Sequence, residues 1–300
     1  MLWRETGTYD LMKSPIFIIG NPRSGTTLLR LMLTCHRDIV IPPECGFAVW
    51  WYEKYRKWNS DYTDQHMEEF LRDLFTSKKI ETWNLNKGLL KEFLLRKKTS
   101  IYSELVSSVY EFYAGTQKKD FKRWGDKNNY YLNHVDVIFN LFPGVQFIHI
   151  IRDGRDIACS YKDVANSTYN SPYAPQLPAG AYEIAKEWIT NIKRIRESFN
   201  AVGWDKVIEI RYEDLVSFPE QTLEKICSFL NEDFDMAMLD FHLLNKEQEL
   251  EPRDFLEWKS KTLHRVTTSQ AGRYKRCLTD DEIKIINGAA AEIFEIYNYQ

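Results

Sequence analysis

Three stretches of the chain are apolar at successive positions, without polar alternation. They are Pro15-Ile16-Phe17-Ile18-Ile19, Val145-Gln146-Phe147-Ile148-His149-Ile150-Ile151 and, less purely, Lys206-Val207-Ile208-Glu209-Ile210-Arg211. A strand covered on both faces reads this way, as in a parallel sheet held between two helix layers. Around these runs, apolar residues recur with helical period from Thr26 to Cys35, Met67 to Phe75, Lys87 to Leu95 and Tyr102 to Tyr113. The same period returns from Ile157 to Val164, Tyr182 to Phe199, Pro219 to Leu230 and Asp280 to Tyr297. Strands alternating with helices predict an α/β fold: three layers, doubly wound, with a central parallel sheet. No internal repeat or low-complexity linker interrupts the pattern, so the expectation is one domain over residues 1–300 with a helical insertion at about 45–120. Ser167 to Pro178, with three prolines, is the clearest loop, either a lid over a site or a plain surface excursion.

Charge narrows the partners. With 40 basic and 43 acidic residues, a net charge of −3 and a pI near 6.1, the chain has no field to hold a polyanion, so nucleic acid is not expected as a partner. The five cysteines, Cys35, Cys45, Cys159, Cys227 and Cys277, are odd in number, dispersed and without a C-x-x-C pair. They suit a reducing compartment better than a disulfide framework, and they offer no zinc-finger spacing. The first residues, MLWRETGTYDLMKSP, have too short an apolar run and too early an acid for a signal peptide, and no segment reaches the roughly 18 apolar residues of a membrane span. A cytoplasmic protein is expected, and a homodimer is left open.

The chemistry begins at Gly20-Asn21-Pro22-Arg23-Ser24-Gly25-Thr26-Thr27, between the first apolar run and the first helix. Gly20 and Gly25 stand at the spacing of a Walker A loop, but Thr26 occupies the lysine position. Backbone N–H groups of such a loop wrap a phosphate, the helix N-terminus adds its dipole, and Arg23 can supply the missing cation. A second candidate follows the second run: Arg152 lies at a strand's carboxyl end, where open α/β sheets bind ligands, and Ser160 lies in the early turns of the next helix. Guanidinium and hydroxyl suit a second phosphate, although Arg152-Asp153-Gly154-Arg155-Asp156 also reads as a turn of self-paired charges.

With these residues the chain resembles the sulfotransferase superfamily that uses 3′-phosphoadenosine 5′-phosphosulfate, PAPS, whose phosphosulfate loop reads P-[RK]-S-G-T-T. Among its branches it is most similar to the tyrosylprotein-type and bacterial branch with a glutamate base. The resemblance implies that Arg23, Ser24, Gly25, Thr26 and Thr27 hold the 5′-phosphate and sulfuryl group, and that Arg152 and Ser160 hold the 3′-phosphate. It places Tyr212 of Tyr212-Glu213-Asp214-Leu215 near the adenine, and Gly272, Arg273, Tyr274 and Lys275 over the 3′-phosphate. Read without it, Tyr212 packs a strand end and Ser269 to Arg276 is a basic surface loop. The resemblance further implies Glu44 as the base that takes the acceptor proton, with Lys127 and Arg23 as cations at the transferred group and no metal. Glu44 could instead cap the helix near Gly46. At Lys127 the pattern departs: Asn129 stands where the family's G-[DE]-K-x-P segment has proline, and where a small-molecule branch has a catalytic histidine. His134 is the reserve base.

PAPS is thus the expected co-substrate. Sulfuryl oxygens carry less charge than a terminal phosphoryl group, so positioning and electrostatics suffice. The acceptor class is open among small molecules, glycans, lipids and peptide tyrosine. Trp51, Tyr55 and Trp58 recur at helical spacing after Glu44 and read as core or as an acceptor wall. The region from Cys45 to Tyr113, with the proline-rich loop, is expected to set acceptor choice. Lys78-Lys79, Lys97-Lys98 and Lys118-Lys119 either attract an anionic acceptor or are solvated faces. Two rivals stand beside this reading. One is a P-loop kinase using ATP, with Asp153 on magnesium; the other is a nucleotide-binding module without turnover.

Overall fold

A computed structural model describes residues 14–58, 63–117 and 120–299. The three apolar runs become strands β1 (Ile16–Ile19), β4 (Gln146–Ile151) and β5 (Val207–Arg211). They join β2 (Ile39–Val40) and β3 (Arg123–Lys127) in one parallel sheet of order β2-β3-β1-β4-β5. The central strand explains the unbroken hydropathy. Phe17 and Ile19 enter one core with Phe147, whereas Ile16 and Ile18 enter another with Ile148 and Leu29 on the opposite face. Both faces are covered, so every position of the strand is apolar.

β3 has the sequence RWGDK and carries no such signal, yet all five of its residues are buried. Its charges are satisfied by distant groups. Arg123 donates to the Leu230 carbonyl at 2.9 Å and to Gln146 Oε1 at 2.5 Å, and Asp126 accepts the hydroxyls of Tyr110 and Tyr131.

Helix α1 (Thr26–Cys35) follows β1. Helices α2 (Asp64–Thr76), α3 (Lys87–Lys97) and α4 (Tyr102–Thr116) lie between β2 and β3 and share one core cluster with Phe17 through Phe70, Leu90, Leu94 and Tyr110, joined by Tyr55 and Trp83 from the connecting segments. Beyond β4, α5 (Gly154–Ala165), α6 (Ala181–Val202) and α9 (Asp280–Ile296) share a third cluster around Ile157, Trp188 and Ile293, with α7 (Pro219–Leu230) and α8 (Arg253–Lys259) before α9 in the chain. A capping box at Thr279 and Glu282 starts α9 by satisfying its free N–H groups. Among the described residues no helix is long and apolar enough to cross a membrane.

The aromatic stripe is core. Tyr55 is fully buried with its hydroxyl on Asp73 Oδ2 at 2.6 Å, Trp51 donates to Ser77 Oγ at 2.8 Å, and Trp58 packs between Tyr55 and His66. Lys118-Lys119 lies outside the described residues.

Candidate functional site

The carboxyl ends of all five strands converge on a cavity of about 470 Å³. β1 runs into the loop Gly20 to Gly25, β2 leads to Glu44, β3 ends on Lys127, β4 delivers Arg152 and β5 delivers Tyr212. Residues on the cavity wall include Arg23, Gly25, Thr26, Thr27, Glu44, Arg152, Ser160 and Tyr212. Lys127 reaches the same place from beneath through its contacts with Thr27 and Glu44.

The loop has a shape only certain residues accept. Gly25 has φ of 98°, and a Cβ there would lie 2.5 Å from the Tyr212 ring; a Cβ on Gly20 would lie 2.7 Å from the Ile150 carbonyl oxygen. Arg23 itself is left-handed, with φ of 68°. Gly25 is the N-cap of α1 and supplies no side-chain cap, so the helix presents its first N–H groups and dipole to the cavity. The Arg23 side chain bridges two other elements, donating from Nε to Ser160 Oγ at 3.1 Å and from a terminal nitrogen to the Trp258 carbonyl at 3.0 Å. Burial and the neighbouring Arg152 guanidinium lower its pKa.

Arg152 joins the loop to the C-terminal region. It donates to the Arg23 carbonyl at 3.1 Å and to the Gln270 carbonyl at 2.6 Å, and its guanidinium lies 4.5 Å from the centroid of the Tyr212 ring. The hydroxyl of Ser24 and the Nε of Arg152 are buried without a hydrogen-bond partner. Unpaired buried donors beside two guanidiniums and a helix N-terminus fit an anionic ligand. Across the cavity, Thr26 Oγ1 donates to Asn129 Oδ1 at 3.4 Å.

Glu44 sits among three ammonium groups. Lys79 Nζ is 2.7 Å from Oε2, Lys259 Nζ is 3.3 Å from Oε1, and Lys127 pairs with Oε1 at close range. Burial pushes the Glu44 pKa up, but the three cations outweigh it and hold the carboxyl well below the usual range. Burial lowers Lys127 to about 8, with Glu44 opposing and Lys259 adding to the fall. Lys127 also donates to Thr27 Oγ1 at 3.1 Å, which ties it to the phosphate loop. Behind this cluster Lys259 contacts Glu251 at 2.6 Å, and Glu251 contacts Arg30 of α1 at 2.6 Å. Glu44 caps nothing: Gly46 is the N-cap of the following short helix, with no side-chain hydrogen bond.

Several expected positions fall elsewhere. Gly272 and Tyr274 donate their backbone N–H groups to Asp156, at 2.7 and 2.9 Å. Arg273 binds Gln270 and Asp163, and neither it nor Lys275 lines the cavity. The wall there is made by the preceding Ser269 and Gln270 instead. Trp51 and Tyr55 do not line it either; Lys79 and, from the proline-rich loop, Tyr173 and Pro175 do. His134 stacks at a tilt on Tyr130 and is not among the lining residues. Asp153, the magnesium ligand of the kinase reading, caps α5 and is gripped by Arg155 at 2.7 Å. Lys79, read from the chain as half of a lysine pair that either attracts an anionic acceptor or is solvated, lines the wall; Lys259, Lys261 and His264 are wall residues the chain pattern did not single out, since a lone lysine or histidine in a polar stretch carries no periodic signal.

The arrangement can grip an anion at one end and handle a proton at the other. A family model described as the sulfotransferase family matches residues 15–236. A putative protein-tyrosine sulfotransferase of Caenorhabditis briggsae is 23% identical over 92% of this chain and 85% of its own length. The protein-tyrosine sulfotransferase of Drosophila melanogaster is 24% identical over 77% of this chain, which spans only 41% of that protein. In fold, the chain is similar to a sulfotransferase domain from the curacin biosynthetic pathway, with TM-score 0.57 and 21% identity, covering 94% of this chain and 97% of that one.

Proposed function

The chain belongs to the sulfotransferase family, and from that premise we propose that it moves a sulfuryl group from PAPS to an acceptor hydroxyl or amine, with Glu44 taking the proton. One observation carries the reading. The phosphate loop with Arg23, Arg152 and Ser160 lines the same cavity as Glu44, and Lys127 touches both Thr27 and Glu44. Arg152 and Ser160 would hold the 3′-phosphate, the loop with Arg23 would hold the 5′-phosphate and the sulfuryl group, and Tyr212 would lie against the base. PAPS supplies an activated sulfuryl group whose leaving group is a phosphate.

Lys127 would turn from Glu44 towards the bridging oxygen of that phosphate. Turning away leaves Glu44 with less positive charge beside it, which raises its proton affinity as the acceptor arrives. With a hydroxyl acceptor, the O–H proton then passes to Glu44, the new O–S bond forms, and the S–O bond to phosphate breaks with its electron pair on 3′,5′-adenosine bisphosphate. Acceptor choice is assigned to Lys79, Tyr173 and Pro175, which line the cavity.

Thermal stabilisation by 3′,5′-adenosine bisphosphate, compared with ATP and 5′-AMP, tests the donor. A ligand that binds the native state raises stability by mass action. The bisphosphate is expected to give the largest shift, followed by metal-independent transfer from labelled PAPS to a hydroxyl. A preference for ATP overturns the reading.

A further inference from the structure

One face of α5 meets the segment after Gln270. Asp156 accepts the N–H groups of Gly272 and Tyr274, and Asp163, two turns further on, takes the Arg273 guanidinium at 2.8 Å. Cys159 lies between these two carboxylates on the helix, at a spacing that keeps it on their face. Cys277 closes the short helix Tyr274–Cys277 on the facing segment, and its side chain lies near enough to Cys159 for the two thiols to interact. Cys159 is 1% exposed, whereas Cys277 is open to solvent and lies near the Arg273 side chain. All five cysteines are free.

We propose that Cys159 and Cys277 form an oxidisable thiol pair whose disulfide clasps the Gln270–Cys277 segment onto α5, behind the anion end of the cavity. The exposed Cys277 is the group a peroxide reaches first, since Cys159 is buried. With a peroxide as oxidant, the Cys277 sulfur attacks one peroxide oxygen, giving a sulfenic acid and one water. The Cys159 sulfur then attacks that sulfenic sulfur, the S–S bond forms, and the hydroxyl leaves as a second water with the Cys159 proton. Burial pushes the Cys159 thiol up to about 12, which suits a resolving partner and not an independent target.

The clasp bears on the site through two neighbours. Ser160, next to Cys159, receives the Arg23 contact, and Gln270 at the start of the segment receives Arg152. This part rests on the nucleotide reading above. Oxidation is expected to slow release of 3′,5′-adenosine bisphosphate several-fold, because both walls of the anion end are then tethered.

The test treats the full chain with hydrogen peroxide, blocks remaining thiols, denatures it and counts them. The expected result is a fall from five free thiols to three, a peptide map joining Cys159 to Cys277, and a thermal midpoint higher by several degrees that dithiothreitol reverses. Cys277→Ser and, separately, Cys159→Ser should abolish the gain. An intermolecular dimer through Cys277, or over-oxidation of Cys277 with Cys159 still free, overturns the pair. A mapped disulfide with unchanged nucleotide release overturns only the regulatory part. If the reduced protein binds no bisphosphate at all, the failure belongs to the functional reading and the thiol count still decides the clasp.

Discussion

Glu44 and Lys127 are held in opposite chemical tension. Three ammoniums depress the carboxyl, while burial depresses Lys127 to about 8. Removing the carboxylate by Glu44→Gln should cut turnover by about 10²- to 10⁴-fold, the usual worth of a positioned base, while the bisphosphate still raises the thermal midpoint. Equal loss of binding and turnover would show that Glu44 only orders the lysines. The pH profile separates the two groups. In the free protein Lys127 loses its proton near pH 8, so kcat/KM for PAPS should fall above that value. A bound anion favours the ammonium, so the same limb in kcat should move upward. Folding lowers the Lys127 pKa from 10.5, so between about 8 and 10.5 the unfolded chain binds the extra proton. That group's stability cost is therefore full below pH 8 and fades as pH rises. The phosphate cradle was legible because Arg23 to Thr27 is contiguous in the chain. The place of Lys79 and Lys259 beside Glu44 was not, because packing alone brings residues 35 and 215 positions away to that carboxylate.

Elements deliver these groups, and their joints are the sensitive points. Gly25→Ala forces a positive φ on a residue with a Cβ and drives that atom into the Tyr212 ring. A cost of about 1–3 kcal/mol in denaturant unfolding is expected, together with loss of nucleotide stabilisation. The buried pair Arg30–Glu251 locks α1 to the segment that leads into α8 and Lys259. Glu251→Ala strands a buried guanidinium and should cost about 3–5 kcal/mol. The apolar strands were readable because two covered faces demand it. β3 was not, since its Arg123, Asp126 and Lys127 resemble a surface segment until Leu230, Tyr110 and Tyr131 are seen to satisfy them. The two-residue β2 is too short to show any period.

For the whole molecule, the division between scaffold and acceptor wall runs differently from what an aromatic stripe suggests. Tyr55 is locked in the core with Asp73, so Tyr55→Ala should destabilise by about 3–5 kcal/mol. Tyr173→Ala should leave stability and nucleotide binding nearly unchanged and raise KM for the acceptor several-fold, read from initial rates across an acceptor panel. The fold class was legible from strand and helix alternation; the region from 45 to 113 and the proline-rich loop were expected to set acceptor choice, and Lys79, Tyr173 and Pro175 within them line the cavity, but no local pattern singles out these residues from their neighbours.

Each strand of the sheet contributes one side of the cavity, in the order of their pairing and not of the chain. Such a site has no subset that survives alone. Loss of the edge strand β5 removes the Tyr212 shelf, and loss of β2 removes Glu44, so binding should vanish in step with the sheet's cooperative melting. Hydrogen exchange at the buried amides of β1 and the decay of nucleotide affinity in denaturant should therefore trace the same curve, making the ligand a gauge of the fold's integrity.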